Sequence, residues 1–178
     1  MDKLFDEFLG IYLNKSNVGN TPENKGQCTG LVNVWANYLK LPHLWGNAKD
    51  IPLYADLNKY QRVVNTPTGI PPKGAILIWT GNYNPYYIKG VRRTGFGHTA
   101  IVQSANVNTI TVFSQNDPLG SKCIIKKYPN YNHVYGWLIP KIAAQPKGDD
   151  VILNEIKAIY DGVGTPKEKV DKIFALKR

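Results

Sequence analysis

Five short apolar runs between residues 75 and 139 constrain the fold more than any other feature of this sequence. They cover residues 75–79, 97–103, 109–114, 123–128 and 134–139. Runs of this length, bounded by Gly, Pro, Asn and Asp, are typical of β-strands rather than helices. Because turn residues separate most of them, we expect an antiparallel meander.

Two amphipathic helices are predicted ahead of these strands. Apolar residues recur at helical spacing in Met1–Leu13 and again in Gln27–Leu39, and Pro42 stops the second helix. Helices followed by an antiparallel sheet define an α+β domain. Three further segments are predicted more locally: a helical turn around residues 54–60, a strand-like stretch at 62–64 and a mobile aromatic loop over 81–95.

The end of the chain is predicted to be a separate helical appendage. Strand alternation stops near Pro140, so we assign residues 1–141 to the first domain, 142–148 to a linker and 149–178 to a helical hairpin. Thr165 and Glu168 have the spacing of a capping box. A hairpin of about 30 residues is too small to fold by itself. It either packs on the first domain, associates with copies of itself or belongs to a larger binding module.

Charge narrows the possible partners. The chain of 178 residues has 22 Lys and Arg against 13 Asp and Glu, and residues 1–144 hold 15 of the basic and 7 of the acidic side chains. This surplus favours a polyanionic partner, such as nucleic acid, an anionic membrane or a phosphate-bearing wall polymer, with general solubility as the alternative. No basic cluster is denser than Val91–Arg93 or Lys126–Lys127, so we expect no nucleic-acid partner.

Membrane insertion and export are not predicted. No apolar run approaches the roughly 18 residues of a membrane span, so no stable membrane association is expected. The segment Met1–Leu13 carries three acids and one Lys ahead of or among its apolar residues, whereas an export signal begins with a cationic segment. We therefore expect no signal peptide and synthesis in a cytoplasm.

Cys28 and His98 are the strongest candidates for catalytic residues. Cys28 opens the second predicted helix, where backbone N–H groups and the helix dipole stabilise a thiolate or an oxyanion. His98 begins a predicted strand beside Gly97, whose missing side chain leaves room for substrate. Asn116, at the end of the next strand, is placed to orient the imidazole.

Packing is the competing interpretation for each cysteine. Free Cys is among the most buried residue types, and Cys123 in its apolar strand fits that interpretation well. A Cys28–Cys123 disulfide is not expected in a cytoplasmic chain. His43 and His133 are predicted to be loop or surface histidines.

The order of several motifs resembles the CHAP family, the cysteine, histidine-dependent amidohydrolase/peptidase domains of phage endolysins and bacterial wall hydrolases. The resemblance covers about residues 1–141. It includes Gly26-Gln27-Cys28 opening a helix, Pro72-Lys73-Gly74-Ala75-Ile76 entering a strand that ends in Trp79, Gly97-His98-Thr99-Ala100-Ile101-Val102, Ser114-Gln115-Asn116, Tyr135-Gly136-Trp137-Leu138-Ile139-Pro140 and Gly46-Asn47-Ala48-Lys49-Asp50.

The resemblance implies a papain-like (NlpC/P60-type) fold and a role for each site residue. Cys28 is expected to attack an amide carbonyl, with His98 as its base and later the acid. Asn116 is expected to orient His98, while the Cys28 backbone N–H and the Gln27 side chain form the oxyanion hole. Ser114 stands where many members carry Glu, so acidic assistance to His98 is not expected and Asp117 would have to reach back across the strand end.

Some phage members bind calcium through an acid-rich loop just before the Cys. Here residues 20–25 hold a single carboxylate, Glu23, whereas calcium needs several oxygen ligands. We therefore predict no metal and no other cofactor.

The leading hypothesis is a peptidoglycan hydrolase of the endolysin type, which is made in the host cytoplasm and acts on the wall after release at lysis. It would act as an endopeptidase or an N-acetylmuramoyl-L-alanine amidase. The expected partner is Gram-positive peptidoglycan with anionic wall polymers. Residues 82–87 would form an aromatic wall of the cleft. Two alternatives remain open: an intracellular small-molecule amidase of the same superfamily, and a non-catalytic basic wall-binding module.

Overall fold

The computed structural model describes residues 1–84, 86–89, 91–142, 156–159, 161–162 and 165–175. The chain divides into two compact units, Met1–Lys141 and Ile142–Arg178. The first unit contains both predicted helices and all the predicted strands.

A six-stranded antiparallel sheet forms the centre of the first unit. The strands of this unit are β1 Tyr60–Val64, β2 Ile76–Trp79, β3 Tyr86–Ile88, β4 Val91–Arg93, β5 His98–Ala105, β6 Ile110–Ser114, β7 Ile124–Tyr128 and β8 Val134–Pro140. The strand order in the six-stranded sheet is β1-β8-β2-β5-β6-β7. The meander predicted from the sequence is present in β2-β5-β6-β7, but β8 returns to lie between β1 and β2.

Helices α1 (Asp2–Tyr12) and α2 (Cys28–Tyr38) pack on the sheet through aromatic side chains. The rings of Phe8 and Trp35 lie 4.9 Å apart, and Phe8 also meets Phe113 of β6 at 6.1 Å. The Trp35 indole donates a 3.0 Å hydrogen bond to the Gly74 carbonyl, directly before β2. Helix α2, which begins at Cys28, is thereby held against the sheet.

The structure confirms one local expectation and corrects another. The helical turn expected around residues 54–60 is present, since the N–H groups of Lys59 and Tyr60 both donate to the Asp56 carbonyl at 2.9 Å. It is preceded by a 3-10 turn at Ala48–Asp50 and by α3 at Ile51–Tyr54, where Pro52 is suited to a first helical turn. The loop expected over 81–95 contains a small hairpin, in which β3 pairs with β4. Tyr86, Tyr87, Ile88 and Val91 are residue types that favour strands, so a two-stranded ladder forms despite the Asn and Gly content of the segment.

In the second unit, a helix spans Pro166–Ala175. Its capping box is confirmed, since the Thr165 N–H donates to Glu168 Oε2 at 2.8 Å and the Glu168 N–H donates to Thr165 Oγ1 at 3.4 Å. Most of the linker and of the first predicted helix of the hairpin lies outside the described residues. None of the helices in the described part of the chain is long and apolar enough to cross a membrane.

Candidate active site

Cys28 is the first residue of helix α2 and is partly exposed. Burial raises the pKa of its thiol, although the backbone N–H groups of Thr99, Thr29 and Cys28 itself favour the thiolate. Thr99 directly follows His98, so the beginning of α2 and the beginning of β5 meet at this point. The thiol is therefore neutral in the resting protein, and three backbone N–H groups can stabilise the thiolate when it forms.

The helix can approach the loop before it this closely because residue 30 is glycine. A Cβ on Gly30 would stand 2.1 Å from the Asn24 carbonyl oxygen and 2.6 Å from that of Val18. Any larger residue would push the first turn of α2 away from residues 18–24. Gly30 thereby fixes where Cys28 lies.

His98 is buried, with only 3% of its surface exposed. Its Nε2 lies 2.9 Å from the Ser114 hydroxyl oxygen. Its ring stacks on Tyr83 at a centroid distance of 5.8 Å and packs against Trp79 at 5.3 Å. Burial lowers the pKa of the imidazole to about 4, so the ring is neutral at pH 7.

Asp117 reaches the same ring nitrogen from the strand end. Its Oδ2 lies 3.9 Å from His98 Nε2, accepts a 2.8 Å bond from Lys126 Nζ and also accepts from both Tyr83 and Tyr128 hydroxyls. Burial opposes ionisation of Asp117, but hydrogen bonds from Lys126, Tyr128 and Tyr83 outweigh it and lower its pKa to about 2. We refer to these seven residues as the histidine cluster: Trp79, Tyr83, His98, Ser114, Asp117, Lys126 and Tyr128.

The sequence predicts Asn116 at the far ring nitrogen and Ser114 as a supporting residue, and it allows Asp117 to assist only by reaching back across the strand end. The structure places Ser114 and Asp117 at Nε2 of His98. In the structure Asn116 has a left-handed backbone, with φ of 63°, which turns its side chain away from the strand direction. The next residue, Asp117, takes the position toward the histidine.

Asn116 instead contacts the residue before the nucleophile. Its Nδ2 donates a 3.0 Å bond to Gln27 Oε1, and its Oδ1 accepts a 2.7 Å bond from the Gly120 N–H. Gln27 is the N-cap residue of α2. The structure thus joins Asn116, Gln27 and Cys28 on one side, and Ser114, Asp117 and His98 on the other.

Gln115 supports the site, although the sequence predicted no role for it beyond its place in the Ser114-Gln115-Asn116 motif. It is fully buried, accepts the Val18 N–H at 2.8 Å and donates to the carbonyls of Val18 and Gln27, each at 2.8 Å. It therefore ties the end of β6 to the residue before Cys28. A glutamine directly after an apolar strand is the sequence signal that could have identified Gln115, because a buried amide needs hydrogen-bond partners.

A cleft of about 650 Å³ opens beside Cys28. The described residues that line it are Thr21, Glu23, Asn24, Gln27, Cys28, Thr29, Asn33, residues 43–48, Phe96 and Gly97. Trp45 and Phe96 are each 64% exposed there. Aromatic side chains that the sequence did not predict at the site therefore line the cleft. Of the aromatic wall expected at residues 82–87, Tyr83 packs on His98, and the side chains of residues 86 and 87 lie outside the described part of the chain.

Gly97 has a different role from the one expected. It lines the cleft, but its backbone φ is +77°, and a Cβ there would stand 2.4 Å from the Trp79 carbonyl oxygen and 2.9 Å from Lys49. The glycine is needed because the backbone before β5 lies this close to Trp79 and Lys49. This requirement is separate from the expected role of leaving room for substrate. The glycine also allows the turn that presents His98.

Residues 20–25 do not suit a calcium ion. Asn24 uses its Oδ1 to accept the N–H groups of Asn20 and Thr21, both at 3.1 Å, and its Nδ2 donates to Asn20 Oδ1. The amide oxygens near Glu23 are thus occupied in holding the turn itself. In the described part of the chain, no group of three His, Cys, Asp or Glu side chains is arranged to bind a metal ion.

The two cysteines are both free and differ in exposure, with Cys28 partly exposed and Cys123 buried. Cys123 is fully buried, its thiol donates to Gln115 Oε1 at 3.4 Å, and burial raises its pKa to about 12. His133 lies in an exposed turn and His43 in a loop, also as predicted. His43, however, lines the cleft.

The family model for the CHAP domain matches residues 17–116, more than half of the chain. This chain belongs to the CHAP domain family. No curated protein matches the sequence.

Solved structures similar to this chain include the wild-type endolysin LysIME-EF1, at 22% identity and a TM-score of 0.58, with 80% of this chain and 64% of that chain covered. Ly7917, solved with the hydrolyzing product of MDP, is 15% identical with a TM-score of 0.54, over 79% of this chain and 63% of the other. This chain thus spans less than two thirds of each. The similarities confirm the predicted α+β fold, with helices packed on an antiparallel sheet.

Proposed function

We propose that this protein is a peptidoglycan hydrolase that cleaves an amide bond of the bacterial cell wall with Cys28 as nucleophile. The observation that carries the proposal is the meeting of two elements. Helix α2 begins at Cys28 and β5 begins at His98, and the Nε2 of His98 is already engaged by Ser114 and Asp117. Family membership supports the same chemistry.

His98 acts as base and acid through its other ring nitrogen. Because Ser114 and Asp117 occupy the Nε2 side, Nδ1 is the nitrogen available to the thiol. Sγ of Cys28 attacks the amide carbonyl carbon as its proton passes to Nδ1. The C–N bond then breaks, the leaving amine takes that proton, and water hydrolyses the thioester with His98 again accepting a proton.

The pKa directions specify the resting state. The thiol pKa is raised and the imidazole pKa is about 4, so a neutral pair is present at pH 7. Proton transfer accompanies the attack, and the resulting imidazolium lies 3.9 Å from the Asp117 carboxylate. Asp117 therefore stabilises the charge that appears only as the reaction proceeds.

Gln27 and the Cys28 backbone N–H form the oxyanion hole in this proposal. Asn116 donates to Gln27 Oε1, which leaves the Gln27 Nε2 group as the hydrogen-bond donor for the developing oxyanion. A donor of this kind typically lowers the barrier by about 3–4 kcal/mol. Asn116 acts in catalysis by orienting Gln27, while Ser114 orients His98.

Gram-positive peptidoglycan is the proposed substrate, with anionic wall polymers nearby. The surplus of basic side chains in residues 1–144 supports binding to such a wall. The endolysins among the structural neighbours support action on the wall after release from a host cytoplasm. Either an endopeptidase or an N-acetylmuramoyl-L-alanine amidase is compatible with a nucleophile that attacks an amide carbonyl.

The chain is proposed to comprise a catalytic domain at 1–141, a linker at 142–148 and a helical appendage at 149–178, which binds the wall or packs on the catalytic domain. Removing residues 145–178 tests the appendage. Lost wall sedimentation with unchanged melting temperature favours wall binding, whereas a lowered melting temperature favours packing.

The central experiment compares the wild-type chain with Cys28→Ala and His98→Ala on purified Gram-positive walls. We expect wild type to lower the turbidity and both variants to lose at least about 1,000-fold in rate. Cys123→Ala is the matched control, since it removes the other thiol. If both variants still clear the walls, the proposed mechanism is wrong.

Product analysis identifies the bond. Mass spectrometry of the digest distinguishes muramic acid with a free lactyl carboxyl group, which an amidase produces, from muramic acid that still carries peptide beside a new N-terminal Ala or Gly, which an endopeptidase produces. Release of a small amine from soluble amides without wall products would favour the small-molecule amidase, and wall sedimentation without hydrolysis would favour a binding module. We expect EDTA to leave the rate unchanged, and a large loss restored by calcium would contradict the expected absence of a metal.

A further inference from the structure

The cleft beside Cys28 carries charge of the opposite sign from most of the domain. Residues 1–144 have 15 basic and 7 acidic side chains. Among the described residues that line the cleft, however, there is no Lys or Arg, and Glu23 is the only carboxylate. A negatively charged cleft in a cationic domain is suited to a positively charged part of the substrate.

Glu23 is available for such a group. The carboxylate is exposed and forms no ion pair with a Lys or Arg within the described part of the chain. Hydrogen bonds from its own backbone N–H and from the Thr21 hydroxyl lower its pKa, so it is ionised at neutral pH. The same bonds hold the carboxylate on the turn that borders the cleft.

The lining of the cleft also contains aromatic side chains. The exposed rings of Trp45 and Phe96 belong to it, and His43 packs on Trp45 at a centroid distance of 4.3 Å. Burial lowers the pKa of His43, so this histidine adds no positive charge at pH 7. Aromatic faces attract ammonium groups and cover the hydrocarbon stem that carries them.

Hydrogen bonds hold the segments that carry Trp45 and Phe96 in place. Asn33 of α2 donates to the Leu44 carbonyl at 3.0 Å and accepts the Leu44 N–H at 2.7 Å, which anchors the loop that carries Trp45. The Lys49 N–H donates to the Phe96 carbonyl at 3.0 Å, which joins the two aromatic segments. The cleft is therefore a preformed pocket.

We propose that this cleft is an amine-binding subsite, in which Glu23 pairs with a primary ammonium group of the wall peptide while Trp45 and Phe96 pack on its hydrocarbon stem. The inference rests on the proposed hydrolysis and adds a substrate class to it: peptides with a free amine near the scissile amide. Such an amine is either the side chain of a lysine-type residue or an amino terminus.

The test uses the full chain and a soluble lysine-containing wall stem peptide in three forms: both amines free, only the side-chain amine acetylated, and only the amino terminus acetylated. We expect acetylation of one amine to raise KM about threefold to tenfold with little change in kcat. The sensitive amine identifies the source of the charge. Equal KM values for all three forms would overturn the proposal.

Glu23→Gln should raise KM for the free peptide to the value of the acetylated one and remove the preference. Asp2→Asn is the matched control, because it changes net charge equally and does not line the cleft. Trp45→Ala should raise KM about threefold, whereas Leu53→Ala, which removes another exposed apolar side chain outside the cleft, should not. An unchanged preference in Glu23→Gln would contradict the subsite.

Calorimetric binding of the same peptides to the Cys28→Ala chain separates this inference from the proposed hydrolysis. Weaker binding of the acetylated form supports the subsite even if wild type cleaves no wall peptide, in which case the proposed hydrolysis fails. Equal binding of free and acetylated peptides, together with efficient cleavage of both by wild type, would leave the hydrolase in place and refute the subsite.

Discussion

The histidine cluster and the cleft lie on two sides of the same site but differ in exposure and in hydrogen bonding. His98 is 3% exposed, and the Asp117 carboxylate beside it accepts bonds from Lys126 and two tyrosines. Across the site, Trp45 and Phe96 are each 64% exposed. Proton transfer needs fixed partners and a low dielectric, whereas peptide entry needs open apolar surface.

Acid should destabilise the folded protein because His98 is buried in its neutral form. The folded-state pKa of His98 is lowered from 6.5 to about 4 by burial, so below pH 6.5 the unfolded chain binds a proton that the folded chain does not. Stability from this group is complete above pH 6.5 and is lost as the pH falls toward 4, by roughly 3 kcal/mol. Urea unfolding at pH 7 and pH 4.5 measures this loss.

His98→Gln should show a much smaller loss over the same interval, and His133→Asn, at an exposed turn, should behave as wild type. The folded-state pKa of Asp117 is about 2, below its usual 3.8, so Asp117 contributes only as the pH falls below about 4. An equal loss in wild type and His98→Gln would show that His98 is not the group responsible.

Asp117→Asn should lower kcat/KM about 100-fold, because the imidazolium formed during attack loses its negative partner. The variant keeps the side-chain volume. The pH profile of kcat/KM is the decisive measurement, since its acid limb should move to lower pH when the carboxylate that favours protonated His98 is removed. Lys122→Gln, at an exposed position outside the histidine cluster, is the control and should cost less than about threefold.

A loss of activity in Asp117→Asn with an unchanged acid limb would assign Asp117 a purely structural role. No loss of activity would show that Ser114 orients His98 without help from the carboxylate.

Gln115→Leu should lower the free energy of unfolding by about 2 kcal/mol. The substitution removes the partner of the Val18 N–H and the donor to the carbonyls of Val18 and Gln27, at a buried position. Denaturant unfolding measures the effect, and Gln61→Leu, on the exposed part of β1, is the control. A change below 0.5 kcal/mol, on the order of surface substitutions, would contradict this role.

Cys123→Ala should have the smallest effect, a loss of about 1 kcal/mol in stability with unchanged wall hydrolysis, since it removes a buried sulfur far from water. A thiol reagent applied to the native protein should label Cys28 and spare Cys123. Rapid labelling of Cys123 in the folded chain would contradict its burial.

Local sequence patterns determined much of this protein. The spacing of Leu31, Val32 and Trp35 predicts the helix that begins at Cys28, and the apolar runs predict the central strands, because helical and strand periodicities are local properties. The candidate residues Cys28 and His98 could be selected in the same way, from their positions at the beginning of a helix and of a strand.

Tertiary structure decided which groups surround them. A positive φ at Asn116 exchanges the positions of Asn116 and Asp117, so the amide contacts Gln27 and the carboxylate lies toward His98. Trp45 and Phe96, separated by about 50 residues, both line the cleft, and the hydrogen bond from the Lys49 N–H to the Phe96 carbonyl joins their segments. Such contacts depend on single backbone dihedrals and on long-range hydrogen bonds, and neither is encoded in the periodicity of a local segment.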